Sequence, residues 1–235
     1  MLQATQLSKR FGDHPALDAL TLSIAPGEVF CLLGPNGAGK TTTINLFLGF
    51  LAPTQGLARV DGQDVAADPD AARARLSYLP EQVALYPHLS GLENLRFFAG
   101  VSGAATDAPT LRQCLADAGL QRDAFDRRVS GYSKGMRQKV AVALALLRAS
   151  KALLLDEPTS GLDPQASREF AGLIGRLRER GLAVLMATHD LIHVKDVATR
   201  IGIMKAGRLV TEFAAADVSH EQLQQAYLDQ IGGAA

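Results

Sequence analysis

The sequence predicts an α/β fold with a mainly parallel core sheet, and two patterns along the chain support this prediction. Short apolar runs bounded by Gly, Pro or Asp recur, which is typical of buried strands. Segments with apolar residues at helical spacing lie between several of these runs, and this alternation favours parallel strands joined by helices. The predicted strands span residues 29–33, 76–79, 152–155, 183–187 and 200–204, and the predicted helices span residues 40–50, 133–149 and 164–180.

The N-terminal part of the chain follows a different pattern, because its strand candidates are not separated by helices. These candidates span residues 2–7, 19–24 and 58–65, and the last of them contains the turn signal Asp61-Gly62. We therefore expect a small antiparallel sheet beside the main sheet.

The middle of the chain is predicted to be helical. No strand candidate occurs between residues 85 and 130, and Ser90 and Glu93 have the spacing of a capping box, which opens a helix. We expect three segments: a first part of the core with the antiparallel sheet (1–84), an inserted helical subdomain (85–132), and a second part of the core that ends in a helix (133–235).

The composition is that of a globular protein, since 47% of the residues are hydrophobic and 20% are charged. The 24 Lys and Arg residues balance the 24 Asp and Glu residues, so no overall charge attracts nucleic acid and we expect no nucleic-acid partner. Cys31 and Cys114 have neither a metal-binding spacing nor a disulfide pattern. They are expected to be free thiols in a reducing compartment.

The sequence contains no stretch that resembles a membrane helix. The longest apolar stretch, residues 140–147, is far shorter than the roughly 20 residues that a bilayer requires. Residues 1–10 lack the basic and apolar regions of a secretory leader. We therefore expect a cytoplasmic protein.

Residues 34–41, Gly-Pro-Asn-Gly-Ala-Gly-Lys-Thr, match the phosphate-binding pattern G-x-x-x-x-G-K-[ST] between a predicted strand and a predicted helix. Glycines let backbone N–H groups approach phosphate oxygens, and the helix N-terminus adds partial positive charge. We expect Lys40 to add a full charge and the Thr41 hydroxyl to bind Mg²⁺. The residues of this loop that are predicted to bind a nucleotide are Gly34, Pro35, Asn36, Gly37, Ala38, Gly39, Lys40, Thr41 and Thr42.

Two adjacent carboxylates, Asp156 and Glu157, follow the apolar strand at residues 152–155. Neighbouring residues at a strand end point in different directions. We expect Asp156 to hold the Mg²⁺ and its water shell, and Glu157 to face the γ-phosphate and polarise the attacking water.

These motifs, together with residues 132–138 and 188–190, resemble the nucleotide-binding subunit of ABC transporters, and the resemblance covers essentially the whole chain. It implies a P-loop NTPase that binds ATP and Mg²⁺ and energises a separate membrane permease. Ser133, Lys134, Gly135 and Met136 stand where this family has its Leu-Ser-Gly-Gly-Gln signature, which contacts the ATP held by the opposite subunit. Ser133 and Gly135 match that pattern, whereas Tyr132, Lys134 and Met136 depart from it.

The resemblance implies roles for residues in two further loops. His189 corresponds to the switch histidine that contacts the γ-phosphate, which makes it a catalytic residue beside Lys40 and Glu157. Asp163 corresponds to the D-loop residue at the dimer interface. A zinc site is an alternative for His189 and His193, because two histidines four residues apart on a helix can bind zinc.

Two further correspondences leave alternatives open. Phe11 occupies the place of the aromatic residue that stacks on adenine, and a core phenylalanine is the alternative. The family's glutamine after the strand at residues 76–79 is replaced by Glu81, and Gln82 comes one residue later. Both side chains are candidates for the oxygen donor that reaches the Mg²⁺ shell, so Gln82 joins Thr41 and Asp156 among the predicted metal ligands.

The resulting hypothesis is that two copies of the chain sandwich two ATP molecules in an ATP-dependent homodimer, and that closure drives the permease. The chain is most similar to the bacterial subclass that is paired with ABC-2-type permeases, which favours export and a location on the inner face of the plasma membrane. A soluble ABC-type ATPase that acts as a mechanical clamp is the main alternative. A P-loop kinase is a weaker one, because it would leave residues 133–136 and His189 without a role.

Overall fold

The computed structural model describes residues 1–104 and 106–232. Within these ranges the strands are β1 (Leu2–Phe11), β2 (His14–Ile24), β3 (Val29–Leu33), β4 (Gln55–Val60), β5 (Gln63–Asp64), β6 (Leu76–Leu79), β7 (Ala152–Asp156), β8 (Ala183–Thr188), β9 (Arg200–Lys205) and β10 (Arg208–Ala214). The helices are α1 (Lys40–Phe47), α2 (Pro69–Ala74), α3 (Gly91–Val101), α4 (Ala108–Asp117), α5 (Lys134–Leu147), α6 (Pro164–Glu179), α7 (Val194–Val197) and α8 (His220–Gly232). The last three residues of the predicted segment 133–235 lie outside the described residues.

The main sheet has six strands in the order β10-β9-β3-β8-β7-β6. The pairs from β9 to β6 are parallel, and β10 joins one edge in antiparallel orientation. The carboxyl ends of β3, β7, β8 and β6 therefore lie along the same edge of the sheet. In open α/β sheets, ligands bind outside these carboxyl ends.

The second sheet has four antiparallel strands in the order β2-β1-β4-β5. Asp61 and Gly62 both have positive φ, 51° and 80°, which is the geometry of the tight turn that joins β4 to β5. The predicted α/β fold, with a mainly parallel sheet and an antiparallel sheet beside it, is confirmed.

Strand β3 is buried on both faces, which explains its uninterrupted apolar sequence. Phe30 and Leu32 pack into the core shared with the antiparallel sheet and α1. Val29, Cys31 and Leu33 point to the other face and pack into the core shared with α3 to α6. The main sheet is therefore held between two apolar layers, which fixes the position of the loop that follows β3.

The segment between β6 and β7 is helical, as expected. The Ser90 hydroxyl accepts a hydrogen bond from Glu93 N, and a Glu93 carboxylate oxygen accepts one from Ser90 N, so the predicted capping box starts α3. The Tyr132 hydroxyl donates to the Ala124 carbonyl and ties the end of this segment to its middle. The boundaries of the three predicted segments remain predictions.

Several elements differ from the sequence prediction. Strands β1 and β2 are longer than the sequence predicted. Gln6 and Ala19 adopt positive φ, 47° and 50°, and these irregularities interrupt the alternation of apolar residues from which the strands were predicted. Helix α1 ends before residue 50 because Gly49 is left-handed, with φ of 68°. Helix α2 and strand β10 were not predicted, since α2 is only six residues long and β10 has no fully buried residue.

Among the described residues, no helix combines the length and the apolar character needed to cross a bilayer.

Candidate active site

The phosphate-binding pattern forms a loop between β3 and α1, as predicted. Two of its glycines have no room for a side chain. A Cβ atom on Gly34 would lie 2.4 Å from the Met204 carbonyl oxygen, and one on Gly39 would lie 2.6 Å from the Ala16 carbonyl oxygen. Gly39 also has φ of 104°, which strains any other residue. The loop is thus packed against β9 and β2, so its backbone N–H groups have fixed positions.

Lys40 is the first residue of α1, and only 6% of it is exposed. Its Nζ donates to the Gly34 carbonyl at 2.7 Å and to the Pro35 carbonyl at 3.2 Å. Burial lowers the pKa of Lys40, while the charges of Glu157 and Asp156 act in the opposite direction. The ammonium group therefore lies inside the loop and within reach of both carboxylates.

Asp156 contacts Thr41, the second residue of α1. Asp156 is the last residue of β7, and its Oδ2 accepts a hydrogen bond from Thr41 Oγ1 at 3.2 Å. Burial is the main cause that raises the pKa of Asp156; the Thr41 hydrogen bond lowers this pKa, and the Glu157 charge raises it. A hydroxyl and a carboxylate at this distance are oxygen donors of the kind that Mg²⁺ prefers.

Glu157 is held in place by residues at the end of β8. It has φ of 46°, a conformation that is unfavourable for a residue with a Cβ atom, and its N–H donates to the Ala187 carbonyl at 2.9 Å. Its Oε2 accepts from Thr188 Oγ1 at 3.1 Å and from His189 N at 3.3 Å. These bonds direct the other carboxylate oxygen toward Lys40, whose Nζ lies 3.7 Å from Oε1.

His189 is close to the same carboxylate, since its Nδ1 lies 2.9 Å from Glu157 Oε2. The other histidine of the zinc alternative, His193, instead has its Nδ1 3.8 Å from Asp196 Oδ2. Across residues 1–104 and 106–232, no group of three or more His, Cys, Asp or Glu side chains is arranged to hold a metal ion. The geometry therefore gives the zinc alternative no support.

A cleft of about 420 Å³ is lined by the loop residues 36–42, by both predicted carboxylates and by Phe11, whereas Gly34, Pro35 and His189 are not among its lining residues. We call it the phosphate-loop cleft. Phe11 lines it and is 49% exposed, so the alternative of a core phenylalanine is wrong. The Lys9 ammonium lies 5.2 Å from the centre of the Phe11 ring, a cation–π distance. The residues that line the cleft are Phe11, His14, Ala16, Asn36, Gly37, Ala38, Gly39, Lys40, Thr41, Thr42, Glu81, Asp156 and Glu157.

Glu81 and Gln82 have different surroundings. Glu81 lines the phosphate-loop cleft, and its charge contributes to the raised pKa of Asp156. Its Oε1 also accepts a hydrogen bond from Ser160 Oγ at 3.2 Å. Gln82 is exposed and is not among the residues that line the cleft.

The residues that correspond to the signature lie outside the phosphate-loop cleft of their own chain. Ser133 caps α5, and its hydroxyl accepts from Met136 N at 3.3 Å. Gly135 lies against Leu162 and Ala166, while Lys134 Nζ donates to the Ser160 carbonyl at 2.5 Å. Ser133, Gly135 and Met136 line a separate cavity of about 210 Å³.

Asp163 also lies outside the phosphate-loop cleft. It caps α6, and its Oδ1 accepts from Ala166 N at 2.8 Å. The Asp-Pro sequence at residues 163–164 explains this cap, because proline is favoured at the first helical position.

Three residues near the cleft were given no role from the sequence. His14 and Ala16 line the cleft because the hairpin between β1 and β2 pairs His14 with Phe11. Thr188 supports Glu157 from the end of β8. Its position at the carboxyl end of a predicted strand, next to His189, is the one signal that could have indicated such a role.

Comparisons with known proteins agree with this arrangement. The family model described as ABC transporter matches residues 17–160. The chain is 34% identical over 241 residues to the probable multidrug ABC transporter ATP-binding protein YbhF of Escherichia coli (strain K12), an alignment that covers 98% of this chain and 42% of that protein. It is 36% identical over 214 residues to the Nod factor export ATP-binding protein I of Cupriavidus metallidurans, with coverage of 90% and 70%. The chain therefore spans less than half of the first relative's length.

A solved structure of a dimeric ATP-binding cassette, in a post-hydrolysis state bound to ADP and Pi, superposes with a TM-score of 0.79 at 26% identity. The superposition covers 92% of this chain and 99% of that one. Fold, phosphate-loop cleft and comparisons lead to the same assignment: the chain belongs to the ABC transporter family, among its ATP-binding proteins.

Proposed function

We propose that this chain is an ATP-hydrolysing subunit that energises a separate membrane permease, with export as the direction of transport. The observation that carries the proposal is the meeting of Lys40, Asp156 and Glu157 in the cleft that Phe11 also lines. This arrangement brings a base-stacking ring, a phosphate loop and a general base together around one nucleotide-sized cleft.

Residues in and beside the cleft have distinct tasks in this mechanism. The Phe11 ring stacks on adenine, the loop N–H groups bind the phosphate oxygens, and Lys40 neutralises their charge. Glu157 accepts a proton from the attacking water, and Thr188 and His189 hold its carboxylate in place. His189 also contacts the γ-phosphate.

The residues present fit Mg²⁺, because Thr41 and Asp156 offer adjacent oxygen donors. These two residues would hold it, and Glu81 is the better-placed candidate for the third oxygen donor since it lines the cleft. When bound, Mg²⁺ would neutralise charge on the transferred phosphate.

We propose that the complete site forms between two copies of the chain. Ser133 and Gly135 lie outside the cleft of their own chain, which supports a role at the γ-phosphate of the ATP held by the partner. The turn that contains Asp163 would then lie at the interface. The dimeric cassette that superposes on this chain supports the same arrangement.

The proposed permease is a separate chain of the ABC-2 type, which would place this protein on the inner face of the plasma membrane. A relative named for Nod factor export and a relative named as a probable multidrug transporter protein support export. Within the proposed helical segment 85–132 and the loop before α3, the exposed rings of Tyr86 and Phe97 contact each other, with centres 4.9 Å apart. This aromatic surface is a suitable contact for an apolar helix of the permease.

Affinity capture from detergent-solubilised host membranes in the presence of ATP tests this proposal. The bait is the Glu157→Gln variant, which should bind ATP without hydrolysing it, and the matched control is Lys40→Ala, which should bind ATP poorly. We expect a polytopic membrane protein in stoichiometric amount with the Glu157→Gln bait. Recovery of only water-soluble proteins, or of the homodimer alone, would contradict the transport function and favour the mechanical clamp.

A further inference from the structure

Ser160 contacts three segments of the chain that contain proposed functional residues. It uses its backbone N–H, its hydroxyl and its carbonyl, each toward a different partner. Its N–H donates to the Glu157 carbonyl at 3.2 Å, its Oγ donates to Glu81 Oε1 at 3.2 Å, and its carbonyl accepts from Lys134 Nζ at 2.5 Å. These partners belong to the general-base turn, the loop after β6 and the first turn of α5.

Two of these partners are residues in which the chain departs from the family pattern. Glu81 stands in place of the glutamine, and Lys134 stands in place of the first glycine of the signature. A glycine at position 134 has no side chain that could reach the Ser160 carbonyl. The contact from α5 to Ser160 therefore depends on a side chain that the Leu-Ser-Gly-Gly-Gln pattern lacks at this position.

We propose that Ser160 is a positioning residue that ties the Glu81 loop and the first turn of α5 to the turn of Glu157, and that Lys134 and Glu81 act on Glu157 through it. The consequence for the reaction rests on the proposed ATPase function. Ser133 and Gly135 would serve the ATP of the partner subunit while Glu157 serves the ATP of its own. The Lys134 contact then makes these two groups of one chain move together.

A double-mutant cycle on hydrolysis tests the Ser160–Glu81 contact. The kcat and KM for ATP are measured for the unmodified chain, Ser160→Ala, Glu81→Ala and the double variant. Ser160→Ala removes one hydrogen bond to a charged, exposed group and should lower kcat roughly fivefold, with KM changed by less than about twofold. Glu81→Ala should lower kcat further, because Glu81 is also the proposed third oxygen donor to Mg²⁺. In the Glu81→Ala background, Ser160→Ala should have no further effect, because the partner is already absent. The proposed role of the contact would be overturned if the kcat losses of the two single variants multiplied in the double variant, or if Ser160→Ala left kcat unchanged.

Conservative variants separate positioning from folding. Ser160→Thr keeps the hydroxyl and Glu81→Gln keeps an acceptor oxygen, so both should retain most of the kcat that the alanine variants lose. If they are as slow as the alanine variants, the proposed hydrogen bond is not the cause.

Hydrogen exchange tests the Lys134 contact without any reliance on turnover. Amides in residues 157–163 should exchange several-fold faster in Lys134→Met than in the unmodified chain. Lys151→Met is the matched control, since the exposed side chain of Lys151 makes no hydrogen bond or ion pair within the described residues. Equal exchange in the two lysine variants would overturn the tie. Absence of ATP hydrolysis by the unmodified chain, with exchange altered as expected, would instead contradict only the proposed function.

Discussion

Nδ1 of His189 lies 2.9 Å from Oε2 of Glu157, and the two side chains differ in exposure, at 56% and 14%. The carboxylate is held from behind by Thr188 Oγ1 and by the His189 N–H, whereas the imidazole extends into solvent. The histidine ring can therefore turn toward a phosphate group while the carboxylate keeps its orientation.

Replacement of the imidazole should slow hydrolysis more than it weakens ATP binding. We expect His189→Ala to lower kcat roughly a hundredfold, with a much smaller change in KM, as measured by steady-state phosphate release. His193→Ala is the control, because the Nδ1 atom of His193 lies near Asp196, at 3.8 Å from its Oδ2, and not beside Glu157, and this variant should keep turnover within about twofold. Equal losses in both variants would favour a shared role for the two histidines over the switch role of His189.

Phe11 should contribute to ATP affinity through its exposed ring. Alanine substitution of an aromatic residue that stacks on a base costs about 1–3 kcal/mol, so Phe11→Ala should weaken ATP binding at least roughly fivefold in calorimetry. Phe11→Tyr should bind ATP normally, since a flat face is retained. Phe50→Ala removes a ring that is 62% exposed and outside the cleft, and an equal effect there would contradict the stacking role.

Two glycine-to-alanine variants should shift stability in opposite directions. A Cβ atom on Gly34 would lie 2.4 Å from backbone, whereas one on Gly175, within α6, meets nothing within 4 Å. We expect Gly34→Ala to lower the free energy of unfolding by about 1–3 kcal/mol and Gly175→Ala to raise it by about 0.5–1 kcal/mol. Thermal unfolding of both variants checks the packing of the loop, and an unaffected Tm for Gly34→Ala would contradict it.

The two cysteines should react slowly with a thiol reagent in the folded protein. Burial raises the pKa of both thiols, and for Cys114 the Asp117 charge adds to this effect. Since the thiolate is the reactive form, little of it is present at pH 8. We expect partly buried Cys114 to react before fully buried Cys31, with both becoming fast in denaturant. Fast labelling of Cys31 in the folded chain would contradict the position of β3.

The parts of the site whose position in the fold the sequence predicted are contiguous along the chain. The loop from Gly34 to Thr41 lies between a strand and a helix, so one local pattern specifies both its shape and its surroundings. Asp156 and Glu157 were predictable for the same reason, because they directly follow a buried strand. The capping box at Ser90 and Glu93 also depends on residues only three positions apart.

The parts that the sequence did not predict depend on contacts between distant segments. Thr188 meets Glu157 only because β7 and β8 are neighbours in the sheet, and no local pattern specifies strand order. Strand β10 lies at the sheet edge, where exposure removes the apolar run by which the other strands were recognised. The contacts of Ser160 likewise join distant positions, since Glu81 and Lys134 are 79 and 26 residues away from it along the chain.

The role of Glu157 as general base is tested most directly by parallel measurement of ATP binding and phosphate release in Glu157→Gln. Glutamine keeps the size of the side chain but cannot accept the proton of the attacking water. We predict a fall of about a hundred- to ten-thousandfold in the rate of hydrolysis, with ATP affinity and ATP-dependent dimer formation retained. Near-normal phosphate release by this variant would contradict the account and exclude Glu157 as the general base.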